Sequence, residues 1–120
     1  MKNYFIKKIK LHGPITVSEY MSDCLLSPKK GYYNLKNTIG SKGDFITSPE
    51  ISQIFGELIG LSLVDYWYQC QKPELPILTD LGGGNGTMLK DALRAINQID
   101  KNLRSLIKPI FIESSLTLTN

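Results

Sequence analysis

Cysteine, histidine and tryptophan are scarce: Cys24, Cys70, His12 and Trp67 are the only ones among 120 residues. Two cysteines are too few for the disulfide framework of a small secreted domain. Nothing at the start has the form of a secretory signal peptide, so a reducing interior is the expected compartment. One histidine and two distant cysteines support no metal site. No apolar run approaches the roughly 18 residues of a membrane span, so no stable membrane insertion is expected. Charge of one sign is lacking too, because 14 basic residues face 11 acidic ones for a net +3. That is too mild to argue for nucleic acid binding, which needs a clustered basic stripe. Lys2, Lys7, Lys8 and Lys10 do cluster, interleaved with Tyr4, Phe5, Ile6 and Ile9. They read as a solvated, lysine-rich helix start rather than a membrane-surface or targeting segment.

What is present is ordinary globular composition, 42% hydrophobic and 21% charged, for one domain or part of one. Thr16 and Glu19 have the spacing of a capping box. Behind them Val17, Tyr20, Met21, Cys24 and Leu25 form a helical stripe expected to be buried. Ser27-Pro28 should end that helix. Gly31-Tyr32-Tyr33 and Phe45-Ile46-Thr47 flank a polar stretch with Asn37, Gly40, Ser41 and Gly43, which predicts a β-hairpin or an ordered loop. Thr47-Ser48-Pro49-Glu50 offers a capping hydroxyl, a first-turn proline and an acid, so a helix is expected from about Pro49 to Gln71. Its marked face is Ile51, Phe55, Leu58 and Ser62, widened by Ile54, Leu61 and Val64, while Gly56 and Gly60 would let another backbone approach. Trp67 is expected in the core.

The last segment reads differently. After a linker from Pro73 to Pro76 come a short buried strand, Ile77–Leu81, a Gly82–Gly86 loop, a helix from Thr87 to about Asn97, and a second strand, Ile110–Ile112. Strand, glycine loop, helix and strand make the first βαβ unit of a doubly wound sheet. The glycine register chooses among ligands. The dinucleotide fingerprint needs glycine at the first, third and sixth positions; from Gly82 the sixth is Thr87, and from Gly84 it is Leu89. No Lys-Ser/Thr follows, which excludes a P-loop. The loop is instead G-x-G-x-G with Asp80 two residues ahead. That carboxylate would repel a pyrophosphate but suits S-adenosylmethionine, which has no phosphate and carries a sulfonium and an ammonium. Gly82, Gly83, Gly84 and Gly86 would let backbone pass beneath such a ligand. Glu113, at the end of the second strand, is placed to accept ribose hydroxyls.

The block from Gly43 to Leu58, GDFITSPEISQIFGEL, closely resembles the signature of the MidA family. Gly13-Pro14-Ile15-Thr16-Val17-Ser18-Glu19-Tyr20-Met21, the Gly31-Tyr32-Tyr33 turn and Leu81–Thr87 match the same family in the same order. Its members are S-adenosylmethionine-dependent methyltransferases, among them protein arginine methyltransferases linked to respiratory complex I assembly. The resemblance implies a truncated class I, Rossmann-like α/β fold: a helical region at 1–72 with a hairpin or ordered loop, then an incomplete βαβ domain at 73–120. It implies S-adenosylmethionine as cofactor and a protein with a methyl-accepting arginine as substrate. Thr47 and Ser48 would lie near the cofactor, with Asp44 or Glu50 as candidates to orient a guanidinium. Members commonly carry Glu, Pro and Arg where this chain has Asp80, Gly83 and Asn85, swaps that move the loop toward the general class I motif.

Members of the family are also much longer. This chain ends seven residues after Glu113, with Ser114-Ser115-Leu116 entering the next expected helix. It therefore reads as the N-terminal fragment of such an enzyme, inactive alone because methyl transfer depends on holding the acceptor in line. A non-catalytic binding remnant, or half of a split enzyme needing a complementary C-terminal chain, is the alternative. An oxidoreductase-type dinucleotide domain is disfavoured by the glycine register. A bacterial cytoplasmic setting is expected, or a mitochondrial one if the source is eukaryotic.

Overall fold

The computed structural model describes residues 1–35, 38, 40–41, 43–115 and 118. Asn37 and Leu116, invoked above, lie outside the described residues. Among the described residues the elements follow in order: α1 (Lys2–His12), α2 (Val17–Leu26), α3 (Tyr32–Leu35), α4 (Ser48–Ile51), α5 (Gln53–Gln69), β1 (Ile77–Leu81), α6 (Thr87–Ile99), α7 (Lys101–Leu106) and β2 (Lys108–Ile112). The fold is a mixed helix–strand arrangement with a small parallel sheet. In it Ile77 pairs with Lys108, Asp80 with Phe111 and Leu81 with Ile112. α7 has no counterpart in the sequence reading; Asp100 starts it by accepting from the Leu103 amide at 2.9 Å. α6 runs two residues beyond the expected end.

The capping box is present, since Thr16 and Glu19 each bond the other's backbone amide. The stripe behind it is not buried. Val17 is 80% exposed, Tyr20 and Met21 are exposed, and α2 buries no residue. α1 adds the Phe5–Tyr20 ring contact and a Lys8–Asp23 ion pair of 2.7 Å, and α3 lies against the helix end through Asn34, whose Nδ2 donates to Leu26 O. In the stretch expected to form a hairpin or an ordered loop, the described residues bond backbone to backbone. The Asp44 and Phe45 amides donate to Thr38 O, and Phe45 O accepts from the Gly40 amide.

The long helix expected from Pro49 to Gln71 is two helices. Ser52 breaks it with extended backbone (φ −153°, ψ 133°), and its hydroxyl accepts from the Ile54 amide. A serine oxygen bonded to nearby backbone competes with the helical ladder in this way. The Thr47 hydroxyl makes no cap bond, though its carbonyl accepts from Glu50 and Ile51. α5 ends two residues short of expectation, with Gln71 and Lys72 in the left-handed region just beyond.

Of the face marked above, Ile51, Ile54, Phe55, Leu58, Leu61 and Ser62 are exposed, while Val64 is buried. The buried face of α5 is Gly56, Gly60, Val64 and Trp67. A Cβ on Gly56 would sit 2.7 Å from Asp91 Cβ, and one on Gly60 2.5 Å from Ala92 O. The two missing side chains let α5 and α6 pack backbone to backbone, which turns the large apolar residues away. Below the glycines Val64, Trp67, Ile96, Leu103 and Ile107 form the core, with Leu63, Leu78 and Leu93 against it. Full burial of Ile96 and Leu103 stabilises by about 1.5–3 kcal/mol each. Trp67 joins that core and donates its indole N–H to Pro73 O at 3.1 Å.

The expected burial of β1 is not seen: Ile77 and Leu81 are exposed and only Asp80 is enclosed, and Ile112 of β2 is exposed as well. With α5 and α6 on one side, the opposite face of the sheet is left open. The radius of gyration, 18.9 Å, exceeds the roughly 14 Å of a compact domain of this length. No helix among the described residues is long and apolar enough to cross a membrane.

Candidate functional site

β1 delivers Asp80 to the C-terminal end of the sheet, and the Gly82 amide donates to Ile112 O at 2.7 Å, extending the ladder by one residue. The chain then turns through Gly82, Gly84 and Gly86, with φ of 71°, 59° and 72°. These left-handed values strain any side chain. Gly83 serves a different purpose. A Cβ there would meet the Phe111 ring and lie 2.5 Å from Asp80 Oδ2, so the absence of a side chain at 83 makes room for the carboxylate beneath.

Asp80 is 7% exposed, and its Oδ2 has no hydrogen-bond partner. Burial, with the nearby Glu113 charge second, pushes its carboxyl above the usual carboxylate range. Glu113 is committed on both oxygens: Oε2 accepts from the Gly84 amide at 2.9 Å and Oε1 from the Ser115 amide at 2.8 Å. It fixes the glycine loop to the segment after β2, and Ser115 in turn donates to Tyr33 O.

Two clefts flank the loop. One, of about 220 Å³, is lined by Thr47, Pro49 and Glu50 on one wall and by Asp80, Gly82–Asn85, Thr87 and Met88 on the other. Glu50 crosses it: Oε1 accepts from the Thr87 hydroxyl at 2.7 Å and from Asn85 Nδ2 at 3.3 Å. α6 begins there from Gly86, which supplies no side-chain cap. The other cleft, of about 240 Å³, is lined by Glu113, Gly82, Tyr33, Phe45, Leu26 and neighbours. A third, mostly apolar one of about 250 Å³ lies among Leu63, Trp67, Pro76, Leu103 and Ile107, away from the loop.

The structure thus gathers Asp80, Gly82, Gly83, Gly84, Thr47 and Glu50 on one cleft, and Glu113 on the next. It does not bring Asp44 or Ser48 to either cleft. Asp44 accepts from the Tyr32 hydroxyl at 2.7 Å, and Ser48 O accepts from the Ser52 amide. Gly86 stands at the head of α6. Sequence reasoning missed Thr87 as the partner of Glu50, and Tyr33 and Phe45 as walls. For the last two, the aromatic residues flanking the polar stretch were the available signal.

This donor set discriminates among ligands. Of the loop amides, the one at Gly84 already holds Glu113. Among the described residues, the cleft between Glu50 and Asp80 has two carboxylates and no basic side chain. A cationic, phosphate-free ligand fits such a site, and a pyrophosphate does not. No cluster of His, Cys, Asp and Glu that could hold a metal ion occurs among the described residues.

The arrangement is a glycine loop after the first strand of a parallel βαβ unit, with a buried carboxylate beneath it. Residues 58–120 match the family described as "Putative S-adenosyl-L-methionine-dependent methyltransferase". The chain belongs to that family. It is 50% identical over 103 residues to the protein arginine methyltransferase NDUFAF7, mitochondrial, of Xenopus laevis, covering 86% of this chain and 24% of the relative. The protein of the same name from Homo sapiens is 48% identical over 105 residues, or 88% of this chain and 24% of the relative. The Drosophila melanogaster homolog is 46% identical over 95 residues, with 79% and 22% covered. The chain spans about a quarter of the length of these relatives.

Proposed function

We propose that this chain forms the S-adenosylmethionine-binding part of a protein arginine methyltransferase, built on a class I, Rossmann-like framework. The observation that carries the reading is the Asp80 carboxylate, buried and with an unpartnered oxygen under a glycine loop that leaves no amide at Gly84 for a phosphate. When bound, the cofactor supplies a methyl group on a sulfonium, open to attack by a nucleophile.

The chain's own residues bind and orient. Gly82, Gly83, Gly84 and Gly86 keep side chains off the ligand's path, and Asp80 faces the cationic end. Glu113 holds the loop and retains acceptor capacity for ribose hydroxyls, since a carboxylate offers about four lone-pair sites. Thr47 contributes to the wall opposite the loop, and Ser48 supports that wall through its backbone. Glu50, on the cleft, is better placed than Asp44 to orient a guanidinium. In this reading residues 73–120 are the incomplete βαβ domain and residues 1–72 the family-specific helical region.

The acceptor class, protein arginine, and a mitochondrial setting in a eukaryote follow from the relatives' names; a bacterial chain would work in the cytoplasm. Ile51, Ile54, Leu58, Ile77, Leu81 and Ile112 are exposed. These open apolar surfaces favour a complementary C-terminal segment or chain that covers them and completes the acceptor site. Without it the half-site binds cofactor but turns over no substrate.

Calorimetric titration with S-adenosylhomocysteine, with NADH as control, tests the binding claim. S-adenosylhomocysteine alone should bind, and Gly84→Val should abolish it by straining a residue at φ 59°. Equal binding of NADH would overturn the reading.

A further inference from the structure

Two carboxylates share the cleft beside the glycine loop, and their partners differ. Asp80 has an unpartnered oxygen at 7% exposure. Glu50 binds only the neutral donors Thr87 Oγ1 and Asn85 Nδ2, both through Oε1. Among the described residues no cation pairs with it, and Oε2 makes no hydrogen bond. Among the described residues the rest of the wall is Thr47, glycine backbone, Pro49, Leu81 and Met88, none of which carries a charge.

We propose that Glu50 makes this cleft a charge filter, selecting the sulfonium form of the ligand over its neutral thioether product. The proposal rests on the cofactor reading above and goes beyond it, since glycine-loop binding alone distinguishes neither form. S-adenosylmethionine carries a net +1 from its sulfonium, ammonium and carboxylate. S-adenosylhomocysteine has lost the sulfonium charge and is net neutral. Each gains alike from the loop and from Glu113, so the difference between them is the Coulomb attraction of one positive charge to the cleft. At separations of several Å in a partly wet cleft this is worth roughly tenfold in affinity. Such a filter also favours release of the spent ligand.

The test is titration of the full chain with S-adenosylmethionine, S-adenosylhomocysteine and sinefungin, whose amine carries a positive charge in place of the sulfonium. The two cationic ligands should bind about tenfold tighter than the thioether. Glu50→Gln keeps an oxygen for Thr87 and should shrink the preference several-fold by weakening only the cationic ligands, Asp80 keeping the remainder. Asn85→Arg places a guanidinium beside Glu50 and should lower the preference in the same direction. Should both variants fail to fold, the wild-type ratio itself serves, since it must shrink as salt rises. Equal affinity of wild type for all three ligands, an unchanged ratio in Glu50→Gln, or a salt-independent ratio overturns the filter alone. Failure of all three ligands to bind wild type overturns the cofactor reading beneath it.

Discussion

α2 and α5 are both apolar helices, and they differ in what they bury. α2 carries a regular stripe of large side chains and encloses none of them. α5 turns its large side chains outward and buries two glycines, a valine and a tryptophan. Apolar periodicity says which face benefits from cover; it does not say which face receives it. Where a neighbouring helix can approach to backbone distance, small residues decide the contact, because close packing of main chains gains dispersion over the whole interface. α6 meets α5 in this way at Ala92, and its Arg94 clamps the pair through Glu57 at 2.9 Å while also bonding Asp91.

The largest expected effect lies at that contact. Gly60→Val would drive a methyl-bearing carbon into Ala92 O, 2.5 Å from where Cβ must sit. A loss of about 3 kcal/mol is expected in chemical denaturation. A loss below about 1 kcal/mol would mean that the two helices are not in backbone contact.

Asp80 comes next, and it separates stability from binding within the same half of the molecule. Its folded-state carboxyl titrates above the usual range, so the folded protein holds that proton over a window where the unfolded chain has released it. Stability therefore falls as pH rises through the window, and the penalty is absent below the usual carboxylate range. Asp80→Asn should gain about 1 kcal/mol at neutral pH and nothing in acid, while losing ligand affinity. Equal gains at both pH values would remove the carboxylate's charge as the cause.

Within α2, the cap should outweigh the stripe. Thr16→Ala removes the capping-box partner of the Glu19 amide and should cost about 1 kcal/mol. Val17→Ser, at 80% exposure, should change stability by less than about 0.5 kcal/mol. Thermal melts of the two variants side by side check the order, and a reversal would show that the α2 stripe is covered in solution.

Features encoded locally were the legible ones. Thr16 with Glu19, Ser27-Pro28, the β1–loop–α6 sequence and the parallel partner strand could all be read from spacing and turn chemistry. So could Trp67 in the core and Gly56 with Gly60 as a close-approach pair. Features set by the third dimension were not. Ser52 looks like an ordinary residue inside a helix until its hydroxyl is seen to cap Ile54. α7 is six residues long and too short to show a period. The outward turn of Ile54 and Leu58 depends on where α6 lies. At the site, the residue types around the loop were visible as a set. The bonds of Glu113 to Gly84 and of Glu50 to Thr87 join positions 29 and 37 apart, a separation that no spacing rule reaches.

The central claim is that the cleft beside Asp80, not the apolar one beside Trp67, receives the ligand. Amide nitrogen–proton correlation spectra of the chain, recorded as S-adenosylhomocysteine is added, test it most directly. The account predicts shifts concentrated at Gly82–Thr87 and at Thr47–Glu50, with the Gly84 amide among them. Shifts centred on Leu63, Trp67 and Leu103, with the glycine loop unmoved, would contradict it.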